Sequence, residues 1–119
     1  MRLTSAGRED PVFGPMSERF QVISGHEDIV TALPTGATLL ASSEVVRNEA
    51  FCFPGKPIYC TQFHPELNRE GLIDRMRKYP AYIPLAGAST LEELAVITPE
   101  TTEAEGILHR FLDVAVAAI

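Results

Sequence analysis

The sequence predicts an α/β fold, of α+β character in these 119 residues, with an antiparallel strand-rich part (1–66) followed by a helical part (67–119) in a single domain. Three observations lead there. Up to Glu66, β-branched and aromatic residues fall in short runs separated by Gly- and Pro-containing turns, the pattern of antiparallel meanders. After Glu66, apolar residues recur every three or four positions, which is the helical period. The composition, 45% hydrophobic and 22% charged, is that of a chain able to bury a core.

Taken in order, residues 1–4 read as a short opening strand. Residues 5–15 read as a loop, punctuated by Gly7, Asp10-Pro11 and Gly14-Pro15, with Val12-Phe13 as an apolar plug that packs it down. The next strand is 20–24, broken by Gly25. Residues 28–33 form a short strand or turn ending at Pro34-Thr35-Gly36, and 37–42 form a strand centred on Leu39 and Leu40. Val45-Val46 and Ala50-Phe51-Cys52-Phe53 give one or two strands around an Asn48-Glu49 bend. Pro54-Gly55-Lys56-Pro57 is a hairpin connection into the strand 58–66.

In the second part, Asn68 is placed to cap a helix striped by Leu72, Ile73, Met76 and Tyr79 and stopped by Pro80. Residues 81–88 read as a loop. Thr90-Leu91-Glu92-Glu93 has capping-box spacing, and Thr102-Glu103-Ala104-Glu105 repeats it. A last helix then carries Ile107, Leu108, Phe111, Leu112, Ala115 and Ile119 as a stripe expected to pack into the core, with Gly106 weakening its first turn.

A net charge of −6 and a pI near 5.0 argue against a nucleic-acid partner. Arg75, Arg77 and Lys78 read as the solvated end of a helix. No apolar run reaches membrane-spanning length and Met1-Arg2 leads into no signal-peptide core, so the expected location is cytoplasmic. Cys52 and Cys60 flank a turn and could face each other across a hairpin; two reduced thiols are the expected state. His26-Glu27-Asp28 holds three potential ligands, but consecutive side chains diverge, and neither a metal nor a cofactor is expected.

The stretch Ile58-Tyr59-Cys60-Thr61-Gln62-Phe63-His64-Pro65-Glu66 carries the chemistry. Read as one strand, its alternation puts Ile58, Cys60, Gln62, His64 and Glu66 on one face, so an imidazole and a carboxylate end it aimed the same way. A carboxylate beside a histidine holds the ring in one tautomer and stabilises its protonated form, the base-and-orienter half of a nucleophilic triad. Solvated strand-end histidines are common, and spacing without a nucleophile is a weak signal.

A wider series sharpens it. Leu3-Thr4-Ser5-Ala6-Gly7, Asp10-Pro11-Val12-Phe13, Phe20-Gln21-Val22, His26-Glu27-Asp28, Leu33-Pro34-Thr35-Gly36-Ala37, Leu40-Ala41-Ser42, Ala50-Phe51 and Gln62-Phe63-His64-Pro65-Glu66 occur in order, and Gly106-Ile107-Leu108-His109-Arg110-Phe111-Leu112 closes the chain. The series resembles the second half of a class I glutamine amidotransferase domain of the GMP synthase-like group. The resemblance implies that a cysteine attacks the side-chain amide of glutamine, that His64 acts as base and then acid, and that Glu66 orients it. It also implies that Gly25, His26, Glu27 and Asp28 lie where relatives contact the α-amino and carboxylate groups of glutamine. Implied partners are glutamine, once the full domain is assembled, and an acceptor-using synthase domain.

One element of the family pattern is absent. No Gly-x-Cys-x-Gly elbow occurs in these residues. Cys60 is four positions from His64, about 13 Å along a strand at ~3.3 Å per residue, whereas nucleophile and base need to be within roughly 3 Å. Cys52, across the hairpin and near Tyr59, is farther still. The expectation is therefore the C-terminal part of an amidotransferase, inactive alone, that needs a missing N-terminal half. Surfaces left uncovered by that half are expected to pair in a homodimer or domain swap. Two alternatives stay open: a non-catalytic binding or regulatory module of the same ancestry, and an unrelated small α+β domain with a chance motif.

Overall fold

The computed structural model of the chain describes residues 1–25 and 28–119. Its strands are β1 (Arg2–Leu3), β2 (Ile23–Ser24), β3 (Thr38–Ser42), β4 (Ala50–Cys52), β5 (Tyr59–Thr61) and β6 (Phe63–His64). Antiparallel pairing gives a four-stranded sheet ordered β1-β3-β4-β5 and a two-stranded sheet of β2 and β6. The helices are α1 (Ser5–Glu9), α2 (Arg69–Lys78), α3 (Leu91–Ile97) and α4 (Thr102–Ala117), with 3₁₀ turns at Pro80–Tyr82 and Pro84–Ala86 between α2 and α3. Antiparallel sheet followed by helices is the architecture the sequence predicts. No helix among the described residues is long and apolar enough to cross a membrane.

Several elements differ in detail, each for a local reason. Residues 5–9, expected in a loop, form α1. Thr4 caps it, its Oγ1 accepting from Gly7 N at 3.0 Å while donating to Leu39 O at 2.6 Å. Gly7 acts here by lacking a side chain: a Cβ on it would lie 2.1 Å from Leu40 O, so the helix can rest directly on β3. Only Ile23 and Ser24 of the expected strand 20–24 pair as a strand, and 28–33 form neither strand nor helix. Val45 lies in the turn before β4, where Ser43 Oγ accepts from Val46 N at 3.0 Å. In α4 the cap position falls on Thr101, not on the expected Thr102, and Thr101 Oγ1 donates instead to Leu67 O at 3.3 Å.

The main core lies between the four-stranded sheet, the 10–16 segment and α4. Val12 and Phe13, the expected plug, are fully buried there beside Leu3, Leu40, Phe63 and Ile107. Asp10 pins the plug, its Oδ2 accepting from Val12 N at 2.9 Å and Phe13 N at 3.0 Å. A smaller cluster joins α2, α3 and the 3₁₀ turns through Ile83, Ala88 and Leu94, with Leu72, Met76 and Leu91 against it. Asn68 caps α2 by accepting from Gly71 N at 2.8 Å, and Thr90 caps α3 by accepting from Glu93 N at 3.1 Å, both at the positions the sequence marks. The apolar stripe expected on α4 divides: Ile107 and Phe111 pack on the sheet core, joined there by Val114, while Leu108, Leu112 and Ile119 are exposed.

Candidate active site

The stretch 58–66 is not one strand. A bend at Gln62 divides it, so β5 pairs with β4 and β6 pairs with β2 in the other sheet. The bend is held by Gln62 N donating to Glu49 O at 2.8 Å and by Thr61 Oγ1 donating to Phe63 O at 2.9 Å. The alternation read from the sequence therefore does not run through to Glu66. Immediately after β6 the chain turns, with Leu67 N donating to His64 O at 3.2 Å. Pro65 occupies the second position of that turn, which its fixed φ suits.

The turn, rather than strand alternation, brings the two side chains together. His64 Nδ1 lies 2.7 Å from Glu66 Oε1. With the carboxylate as acceptor, Nδ1 carries the proton in the neutral ring and Nε2 offers a lone pair. Such a pair can accept a proton from a donor placed at Nε2, and the carboxylate then stabilises the imidazolium. His64 and Glu66 keep 35% and 49% of their side-chain surface exposed, so the pair is open to water among the described residues.

Of the residues assigned to glutamine contacts, Gly25 and Asp28 are exposed and His26 and Glu27 lie outside the described residues. Gly25 directly follows β2, which is registered on β6 through Ile23 opposite His64 and Ser24 opposite Phe63. The sequence reading missed Asn48 and Gln62, whose side chains both bond the backbone of Val30. An amide side chain beside a bend in an otherwise apolar stretch is the one sign of such a role that the sequence carries.

Both cysteines are free thiols. Cys52 is opposite Tyr59 and Cys60 opposite Phe51, so the two do not face each other as a pair. Burial pushes the Cys52 thiol up from its ordinary 9.0, and the Asp10 carboxylate adds to this, so Cys52 stays protonated at neutral pH. Tyr59 donates to Asp10 Oδ1 at 2.8 Å and its hydroxyl is likewise pushed up, by burial, by that bond, and by the Asp10 and Cys52 charges. Grooves of ≈480 Å³ beside Met1, Arg19 and Ser43 and of ≈430 Å³ beside Asp10, Lys56 and Tyr59 lie away from the pair, and neither is lined by His64 or Glu66. Among the described residues no cluster of His, Cys, Asp and Glu could hold a metal ion.

The family model of glutamine amidotransferase class-I matches residues 1–72. The glutamine-hydrolyzing GMP synthase subunit of Methanothermobacter thermautotrophicus is 40% identical over 65 residues, which cover 53% of this chain and 35% of that protein. Gamma-glutamyl peptidase 3 of Arabidopsis thaliana is 49% identical over 53 residues, 44% of this chain and 21% of that protein. The crystal structure of SMU.1228c superimposes with a TM-score of 0.73 at 25% identity, over 97% of this chain and 49% of that one. A Thermoplasma acidophilum crystal structure shares the fold, with a TM-score of 0.64 at 21% identity over 98% of this chain and 42% of that one. The chain thus spans about a third or less of these curated relatives. The match of the family model over 1–72, which holds both sheets and the His64–Glu66 turn, places this chain in the class I glutamine amidotransferase family.

Proposed function

We propose that these residues are the C-terminal part of a glutamine amidotransferase domain and supply the histidine and glutamate of its Cys-His-Glu triad. The observation that carries this is the 2.7 Å contact of His64 Nδ1 with Glu66 Oε1 in a chain of this family. In the reading, Nε2 of His64 takes the proton of a cysteine thiol and the thiolate attacks the side-chain amide carbon of glutamine. The imidazolium then protonates the departing nitrogen, which leaves as ammonia, and water, deprotonated by His64, hydrolyses the γ-glutamyl thioester. Glu66 holds the tautomer throughout, and Gly25, His26, Glu27 and Asp28 receive the amino-acid end of the substrate.

The cysteine is to come from outside these residues. Support for that is the lack of a Gly-x-Cys-x-Gly elbow, the raised pKa of Cys52, and the exposure of the His64–Glu66 pair. The matched relatives named as glutamine-hydrolyzing GMP synthase subunits support glutamine as the substrate and a synthase partner as the user of ammonia. The exposed apolar residues Leu112, Val116 and Ile119 support a covering surface on α4, from the rest of the domain or from a second copy in a homodimer. The missing elbow equally favours a second reading, a non-catalytic binding module. To separate them, ammonia release from glutamine is measured for the 119-residue chain alone and after assembly with the elbow-bearing N-terminal part of a related GMP synthase subunit. Release only from the assembly is expected; release from the chain alone, abolished by His64→Ala, would contradict the reading, and an inert assembly would favour the binding module. A stable monomer by sedimentation at micromolar concentration would remove the homodimer.

A further inference from the structure

We propose that Asn48 and Gln62 are positioning residues for substrate binding, which clamp Val30, downstream of Gly25, to the stretch that carries His64. The proposal rests on the amidotransferase reading of this site. Val30 N donates to Gln62 Oε1 at 2.8 Å, and Val30 O accepts from Asn48 Nδ2 at 2.8 Å. Two side chains thus satisfy both backbone groups of one residue, as a paired strand would, at a position where no strand runs. The near end of the same segment is tied by the β2–β6 ladder, Ile23 opposite His64 and Ser24 opposite Phe63. Both ends are therefore fastened to the stretch 62–64, one through backbone and the other through the Gln62 side chain.

The bend at Gln62 makes this possible, because it takes that side chain out of the sheet's alternation. Asn48 is 5% exposed, and an amide buried that deeply destabilises the fold unless its polar atoms find partners. Leucine has the same branching and carries no such cost, so the amide is explained by what it holds. The segment held is itself exposed at Gly25, Asp28 and Ile29, and its fixing contributes little to the core. Fixing it does matter for substrate binding, because a loose segment pays its ordering cost when the ligand binds and so weakens affinity.

The test compares Gln62→Leu, Gln62→Glu, Asn48→Leu and Asn48→Asp. Glutamate at 62 keeps an acceptor for the Val30 N–H, whereas aspartate at 48 sets an acceptor against a carbonyl. In the 119-residue chain, the Val30 amide should exchange roughly fivefold faster in Gln62→Leu, for loss of one hydrogen bond, and at the wild-type rate in Gln62→Glu. In the assembled enzyme, Gln62→Leu and Asn48→Asp should raise KM for glutamine about tenfold with kcat within about threefold, and Gln62→Glu should restore KM. Should either leucine variant fail to fold, Asn48→Asp and Gln62→Glu carry the comparison. Unchanged Val30 exchange in every variant overturns the clamp. Faster exchange with unchanged KM overturns the positioning role. An assembly inert with the wild-type chain overturns the amidotransferase reading and the substrate role with it, a failure the exchange data separate from failure of the clamp.

Discussion

The two apolar clusters of this chain are built to different depths. In the sheet cluster Val12, Phe13, Ala41 and Ala50 are wholly excluded from solvent, and Asp10 and Thr4 fix the loops around them by side-chain hydrogen bonds. In the α2–α3 cluster α2 has no buried residue, α3 has only Leu94, and Tyr79, Tyr82 and Leu85 are more than half exposed. His64 and Glu66 hang from the first cluster: β6 pairs with β2, and Phe63 lies in the core between them. The helical cluster follows the site without building it. The match to the family model ends at residue 72, just inside α2, in keeping with this division.

The contrast can be broken by truncating each cluster. Phe13→Ala should destabilise the whole chain by about 3–5 kcal/mol, read as a fall in the urea midpoint by both circular dichroism and tyrosine fluorescence. Leu94→Ala should cost about 2–3 kcal/mol and confine its effect, with amides of 69–98 exchanging faster while those of β3 and β4 keep their protection. Equal loss of protection in both regions after Leu94→Ala would mean that the two clusters unfold as one.

A smaller effect sharpens the description of the sheet cluster. Tyr59→Phe removes the bond to Asp10 and should cost about 1.5 kcal/mol, the lower end for a hydrogen bond to a charged group. The folded-state pKa of Tyr59 lies above its ordinary 10.0, so the folded state favours the neutral phenol. The stability linked to that preference is full below pH 10.0 and falls as pH rises toward the folded value. Cys52, raised from 9.0, acts in the same direction from a lower pH. Unfolding free energy measured between these pH values and above should fall in the wild type, and less steeply in Tyr59→Phe. An identical slope in the two proteins would remove Tyr59 from the account. Smallest of all, Arg77→Ala breaks an exposed pair with Asp74 on α2 and should change stability by no more than about 0.5 kcal/mol.

What could be read from the sequence follows how local each cause is. The caps of α2 and α3 were legible because a single side chain accepting from an amide three residues on is a local event. The Cys52–Tyr59 pairing followed from a short hairpin turn. By contrast, α1 is a poor helix by propensity, and exists because Thr4 caps it and Gly7 lets it lie on β3, thirty-odd residues away. The break at Gln62 depends on β4 and β2 competing for one stretch, which no periodicity reveals. So the His64–Glu66 contact was anticipated from alternation but is made by the Pro65 turn. Gly106, read as a weakness of α4, gives room to Arg110, whose guanidinium a Cβ there would meet at 2.6 Å while Nε reaches Val12 O. The α4 stripe was legible as apolar; which of its residues meet the sheet depends on how the helix docks, which periodicity does not give.

The central claim is that His64, held by Glu66, is a catalytic base awaiting a cysteine from elsewhere. Its most direct test is kcat for ammonia release from glutamine by the assembly of this chain with an elbow-bearing N-terminal part, in wild type, His64→Ala and Glu66→Gln. The account predicts a fall on the order of 10³-fold for His64→Ala and a smaller fall for Glu66→Gln, with KM for glutamine little changed. An assembly that keeps its kcat when His64 is alanine would contradict it.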